Sequence, residues 1–206
     1  MLDKKIARII LAAGAGSRMG QIKALLNLAG KTALQRIATL NLPKSSMSTT
    51  VVGGFSAAEV AKEAQAHGAL FISNDQWERG QTGSLCAGLQ SVQDADYFLL
   101  HPVDLPLIQQ SDYDAIARLM IDDPGREIYV TSIGERRGHP LVFSTALAQK
   151  ILQLGPDDSI RPIIHHEKDV AYAVVSNPWI RNDLDTPDDL AEAQAYLAAN
   201  GESTSP

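Results

Sequence analysis

Short continuous apolar runs alternating with helical patterns constrain this chain more than any other feature. The runs Ile6–Ala13, Thr50–Gly53, Leu70–Ser73 and Tyr97–Leu100 are each bounded by turn residues, as expected of strands buried on both faces. Helical patterns lie between and after them, at Ala33–Leu40, Ala57–His67, Gly83–Val92 and Tyr113–Ile121. Strand and helix alternating at this spacing predict right-handed βαβ units, an α/β fold with a mainly parallel sheet. The pattern loosens after Ile121. Strands are expected at Ile128–Ile133 and Pro140–Phe143 around a polar turn Gly134–Gly138, and another at Val170–Val175. Helices are expected at Thr145–Leu152 and Ser159–His166, the latter capped by Asp157 and Asp158. Pro187 opens a last helix to about Ala199, with Thr186 as its cap and Asp188 and Asp189 in the first turn. The second half thus adds mixed strands to the sheet.

A chain of 206 residues favours one domain, here 1–200, followed by a polar tail at 201–206 with nothing to bury. Apolar residues at 45% and charged residues at 20% match a globular protein and exclude a disordered or collagen-like chain. The formal net charge of −6 argues against nucleic acid as a partner. It also means that a phosphate substrate needs a basic loop or a bound cation. The lone Cys86 cannot form an internal disulfide, and the N-terminal apolar run is broken by Arg8, unlike a signal peptide. No stretch approaches the roughly 18 apolar residues of a membrane span. The expectation is a soluble, cytoplasmic protein with no membrane partner.

The first strand empties into Leu11-Ala12-Ala13-Gly14-Ala15-Gly16-Ser17-Arg18-Met19-Gly20, with Lys23 shortly after. Small residues let backbone amides approach a ligand and cradle phosphate oxygens, and two cations stand beside them. A dinucleotide fingerprint is excluded by Met19 and by the lack of an acidic residue about 20 positions on. A P-loop is excluded because Ile22 and Ala24 flank Lys23.

Asp104 follows directly on the strand at Tyr97–Leu100, where ligands of parallel sheets bind. Asp183 and Asp185 are two residues apart, so in an extended segment both face one side. Mg²⁺ takes oxygen ligands and commonly shares one or two carboxylates with substrate phosphates. Singly, Asp104 reads equally as a turn residue and Asp185 as a favourable charge at a helix start. In company with a phosphate loop, a metal site is the better reading.

The segment Leu11 to Leu26 (LAAGAGSRMGQIKALL) is similar to the signature loop of the MobA-like nucleotidyltransferases, and more narrowly to the molybdenum cofactor cytidylyltransferases. Four further segments resemble that family in the same order. They are Ser73–Gly80 with Ser84-Leu85 and Ala87-Gly88-Leu89; His101–Pro106; Arg137–Ser144, carrying Arg-Gly-His-Pro; and Asn182–Pro187. Val103 departs from the pattern, since the family usually has glycine before the Asp. The resemblance implies a Rossmann-like, three-layer nucleotidyltransferase fold. It also implies transfer of a nucleotide, CMP from CTP, to a phosphorylated acceptor of the molybdopterin type. Arg18, Lys23 and Asp104 would be catalytic. Leu11, Ala12, Ala13, Gly14, Ala15, Gly16, Ser17, Arg18, Lys23, Gly83 and Ser84 would bind nucleotide. Asp104, Asp185 and Asp183 would hold Mg²⁺ or Mn²⁺. The alternatives are a transferase acting with another base or on a sugar or alcohol phosphate, and a non-catalytic nucleotide-binding partner of a molybdenum enzyme or its chaperone.

Other chemistry-bearing residues carry less. Cys86 lies in a helical pattern with no base to activate it and reads as a small buried residue. His165 and His166 sit at an expected helix end, where a cation suits the dipole. His139 reads as ligand-facing or as loop packing, and Trp77 as a stacking ring or as a pinned loop aromatic.

Overall fold

The computed structural model describes residues 4–43, 45–92, 94–155 and 157–202. Strands β1 (Lys5–Ala12), β2 (Asn27–Leu28), β3 (Lys31–Thr32) and helix α1 (Ala33–Ala38) come first. They are followed by β4 (Ser46–Gly53), α2 (Ala57–Ala66), β5 (Leu70–Ser73), α3 (Gln81–Gln90), β6 (Tyr97–Pro102) and α4 (Gln110–Asp122). The second half contains β7 (Ile128–Ile133), β8 (Arg136–Ser144), α5 (Thr145–Ile151), α6 (Arg161–His166), β9 (Val170–Val174) and α7 (Pro187–Ala199).

Seven strands form one mixed sheet in the order β5-β4-β1-β6-β8-β7-β9, and β2 pairs with β3 apart from it. The first four are parallel; β8 runs antiparallel to both β6 and β7, and β9 is parallel to β7. After β1 the chain builds outward on one side through β4 and β5, then crosses by α3 to place β6 on the other side of β1. The carboxyl ends of β1 and β6 therefore diverge at a topological switch point, where open α/β sheets bind ligands.

Side-chain alternation explains the three layers. Leu11, Ile9 and Ala7 of β1, with Phe98 and Leu100 of β6, pack under α3 and α5 through Leu85, Leu89 and Leu147. On the opposite face, Ile6 and Leu99 pack against Tyr113 and Ile116 of α4, while Ile10 and Val51 meet Leu34 of α1 and Val60 of α2. Arg8 shares this second face and is 2% exposed. Its guanidinium donates to the carbonyls of Ile37, Leu40 and Ala38 at 2.8, 2.7 and 2.9 Å. It thereby satisfies the Ala38 and Leu40 carbonyls at and just past the end of α1 and adds a second donor to that of Ile37, which also accepts from the Leu40 amide at 3.1 Å. The Arg that broke the apolar run is an interior cap.

Three expectations need correction. The strand at Leu70–Ser73 is not buried on both faces: β5 lies at the sheet edge, and Leu70 is 53% exposed. Asp157 and Asp158 do not cap α6, which begins at Arg161 with no side-chain cap. Asp157 instead pairs with Arg79 at 2.7 Å, and Asp158 accepts from the Gly155 amide at 2.7 Å. The turn between β7 and β8 is shorter than Gly134–Gly138, because the ladder already pairs Ile133 with Arg136. Of the expected tail, residues 203–206 lie outside the described residues, and Glu202 is tied to Arg36 at 2.8 Å. No helix among the described residues is long and apolar enough to cross a membrane.

Candidate active site

The loop leaving β1 is shaped by Gly16, whose φ of +59° is left-handed and whose missing Cβ would stand 2.6 Å from the carbonyl oxygen of Gln21. Its own carbonyl accepts from the amides of Met19 and Gly20 at 2.9 and 3.0 Å, closing a tight turn. Among the described residues, the amides of 14–18 donate to no protein acceptor. The loop thus presents a run of free N–H groups above the sheet.

The carboxylates converge on this loop from two directions. Asp104 follows β6, and its carbonyl accepts from the Leu184 amide at 2.8 Å, which ties the segment before α7 to the end of β6. The Asp189 carboxylate of the α7 capping box holds the amides of Asp185 and Thr186 at 3.0 and 2.7 Å. One oxygen each from Asp104, Asp183 and Asp185 lie within 4.8 Å of one another. Lys23 Nζ bridges two of them, 3.4 Å from Asp104 and in contact with Asp185, and Arg18 reaches the other Asp185 oxygen at 2.6 Å.

Charge is distributed unequally in this cluster. Burial raises the Asp104 carboxyl above its ordinary range; Lys23 offsets part of that, and Asp183 and Asp185 add repulsion. Burial also works against the Asp185 charge, but Lys23 and Arg18 together hold its carboxyl below the usual range. Three carboxylates against two cations leave a negative focus beside a loop shaped for phosphate. A triphosphate can enter only with additional positive charge. Clustered hard oxygen donors with an ammonium already between them suit a divalent cation of the Mg²⁺ kind.

The cleft so formed holds about 390 Å³. Leu11, Ala12, Ala13, Gly14, Gly16, Ser17, Arg18 and Lys23 line it from the loop side, Ser84 from α3, and Asp104, Asp183 and Asp185 from the far side. Ala15 and Gly83 are not among its lining residues. Ser84 is buried and its Oγ accepts from Asn74 Nδ2 at 3.0 Å, so it helps fix the Asn74 turn. Val103 packs into the apolar cluster of Ile10, Ala24 and Leu34 and also lines the cleft beside Asp104.

Sequence reasoning missed Gly80 and Gln81, which open α3 at the cleft. Gly80 has a φ of +112° and leads into the first turn of α3, whose amides have no intrahelical acceptors, at the edge of the cleft. The Gly80 at the end of the Trp-containing stretch was the available signal. Trp77 also lines the cleft while its ring packs edge-on against Phe55 at 5.9 Å, so it is pinned and ligand-facing at once. His101, also missed, is fully buried: Nδ1 pairs with Tyr113 Oη at 2.8 Å and Nε2 with the Leu105 carbonyl at 3.0 Å. It braces the turn that carries Asp104. Cys86 is half-buried, its thiol pushed up by burial, and its Sγ lies 3.7 Å from the Ile151 carbonyl.

This architecture is the α/β fold of the nucleotidyltransferases. The family model of the MobA-like NTP transferase domain matches residues 8–170, and the chain belongs to that family. It is similar to Rv0371c from Mycobacterium tuberculosis H37Rv, with a TM-score of 0.76 and 25% identity over 95% of this chain and 100% of that one. A structure of Rv0371c in complex with manganese superposes with a TM-score of 0.72 at 22% identity, over 92% of this chain and 98% of the other. Molybdopterin-guanine dinucleotide biosynthesis protein A from Archaeoglobus fulgidus superposes with a TM-score of 0.69 at 19% identity, covering 95% of this chain and 99% of that one. No curated protein sequence matches the chain.

Proposed function

We propose that this protein transfers a nucleoside monophosphate, CMP from CTP, to a phosphorylated acceptor of the molybdopterin type and releases pyrophosphate. One observation carries the reading: one oxygen each of Asp104, Asp183 and Asp185 converge within 4.8 Å, beside a loop whose 14–18 amides donate to no protein acceptor among the described residues. An acceptor phosphate is already ionised at neutral pH and needs no protein nucleophile. Its oxygen attacks the α-phosphorus, and the bond to the pyrophosphate oxygen breaks.

The protein's part is positioning and charge compensation. The 14–18 amides and the first turn of α3 receive phosphate oxygens. Lys23 and Arg18 move from the carboxylates onto the triphosphate. Asp104 and Asp185, with Asp183, would hold Mg²⁺ or Mn²⁺, which would supply neutralisation of the developing phosphate charge. The manganese described for Rv0371c supports a divalent cation here. The cytidine choice is supported, through the resemblance, by the Leu-Ala-Ala-Gly loop and the Arg-Gly-His-Pro segment, and the acceptor by the name of the A. fulgidus relative. The product would pass to a molybdenum enzyme or its chaperone in the cytoplasm, a location that suits the lone Cys86. Pyrophosphate release is to be measured with CTP, GTP, ATP and UTP in turn, with Mg²⁺ and molybdopterin. CTP should be turned over fastest; no release with any of the four refutes the reading.

A further inference from the structure

A second cavity of about 520 Å³ adjoins the cleft and shares Leu11, Gln81 and Pro102 with it. We propose that this pocket, between α3, β8 and α6, is the acceptor subsite, and that it takes an organic anion with an apolar body rather than a sugar phosphate. The assignment rests on reading the adjoining cleft as the nucleotide site.

Its walls are aliphatic: Leu85, Leu100, Leu141, Ile160 and Ile164 line it. Against these five side chains the several hydroxyls of a sugar would lose more water than the few polar groups of the pocket replace, whereas a hydrocarbon or aromatic body would gain by burial. The charges are one-sided. Arg137 and Arg161 line the pocket, and no Asp or Glu does. In the cleft next door, four carboxylates line the wall, those of Glu78, Asp104, Asp183 and Asp185. Among the described residues neither arginine pairs with a carboxylate, unlike Arg18, Arg36, Arg79 and Arg126. Arg137 is held in place by the Ile164 carbonyl at 2.7 Å and by Tyr172 Oη at 2.7 Å, with its guanidinium over the Tyr172 ring. A fixed, uncompensated guanidinium above an aliphatic floor selects for an anion in a protein of net charge −6.

His139 adds a third criterion. Its Nδ1 donates to the Leu100 carbonyl at 3.3 Å, and burial pushes the ring down to about 4, so it is neutral at physiological pH. Nε2 is then an acceptor with no partner among the described residues, in a side chain that lines the pocket. A ligand bearing one N–H or O–H near its apolar body would complete it.

The probe is 1-naphthyl phosphate, compared with glucose 1-phosphate by isothermal titration calorimetry. Wild type should bind the aryl phosphate and show no heat with the sugar phosphate. Arg161 is exposed at the start of α6, so Arg161→Glu should keep the wild-type melting curve. It should weaken 1-naphthyl phosphate about tenfold, the scale of one charge-assisted contact. His165→Glu, also exposed and also lining the pocket, should weaken it in the same direction. Equal binding of the two phosphates, or unchanged aryl phosphate affinity in both variants, overturns the proposal. CTP with Mn²⁺ titrated into the same wild-type sample separates the two readings. If CTP binds and the aryl phosphate does not, the subsite falls while the nucleotide reading stands. If CTP fails to bind, the nucleotide reading falls and takes the acceptor role with it.

Discussion

Replacing Lys23 by methionine should move two affinities in opposite directions. The Lys23 ammonium rests between Asp104 and Asp185, with its side chain only 15% exposed, so it occupies the ground where a metal ion would be held. A bare divalent ion must first displace it. At 3.4 Å and an effective dielectric of about 20, one such pair is worth about 5 kcal/mol before desolvation is subtracted. Net values for hydrogen bonds to charged groups are about 1.5–3 kcal/mol. Lys23→Met should therefore tighten Mn²⁺ binding, in the absence of nucleotide, by roughly one to two orders of magnitude. The same variant should bind CTP more weakly, because the triphosphate loses a cation that would otherwise transfer onto it. Free Mn²⁺ counted by electron paramagnetic resonance, beside calorimetric titration with CTP, gives both numbers on one sample. Unchanged or weaker Mn²⁺ binding in Lys23→Met would show that Lys23 does not compete for the carboxylates, and the reasoning fails.

Four other outcomes follow from the carboxylate cluster and from the buried histidines. Because burial holds the Asp104 carboxyl above its ordinary range, the folded state binds that proton more tightly than the unfolded chain, and ionised Asp104 costs stability at neutral pH. Asp104→Asn should thus melt at or above wild type at pH 7, with the gain vanishing below the ordinary carboxylate range, yet lose turnover; a clear drop in melting temperature at pH 7 counts against this. Asp185 is opposite in sign: its depressed carboxyl contributes stability that is lost as pH falls through the folded value, so Asp185→Asn should melt lower at pH 7 and no lower in acid. Activity losses for Asp104→Asn and Asp185→Asn should be far from multiplicative in the double variant, since either empties the same site; simple multiplication of the two in pyrophosphate release would mean separate roles. His101 and His139 are held down at about 3 and about 4, so the unfolded chain takes up protons there first. Each should cost up to about 1.4 kcal/mol per pH unit below about 6.5, and urea midpoints that stay level between pH 6.5 and 5 would contradict their neutral burial.

The sequence announced the elements whose pattern is local. The apolar run of β1, its glycine loop and the Thr186-Pro187 helix start all carry their signals within a few residues. Asp183 and Asp185 were legible as a pair because extended backbone repeats every two residues. What was not legible depends on partners far along the chain. Nothing in Leu70–Ser73 says that β5 has a neighbour on one side alone. Asp157 looked like a cap until Arg79, 78 residues away, proved to be its partner. His101, just past the expected strand Tyr97–Leu100, carries no local sign of its role, and only the approach of Tyr113 and the Leu105 carbonyl makes it a brace. The short β2–β3 hairpin escaped notice because two-residue strands have no periodicity to detect.

Arg8 has a consequence for how the chain avoids error while folding. Ile6-Ala7-Arg8-Ile9-Ile10-Leu11 is otherwise the kind of short, apolar, β-prone segment that pairs indiscriminately with other strands or with copies of itself. Successive side chains point to opposite faces, so a slip of one residue along β4 or β6 would swing the guanidinium to the side now filled by Leu85, Leu89 and Phe98. No carbonyls of α1 wait there, and an unpaired buried charge costs several kcal/mol. The penalty falls on every slip by an odd number of residues and not on the native alignment. Arg8 serves as both gatekeeper and index mark: a charge in an apolar strand works against aggregation before the sheet is complete, and it fixes which face of β1 meets α1 in the alignment that brings Leu11 beside Pro102 at the mouth of the cleft.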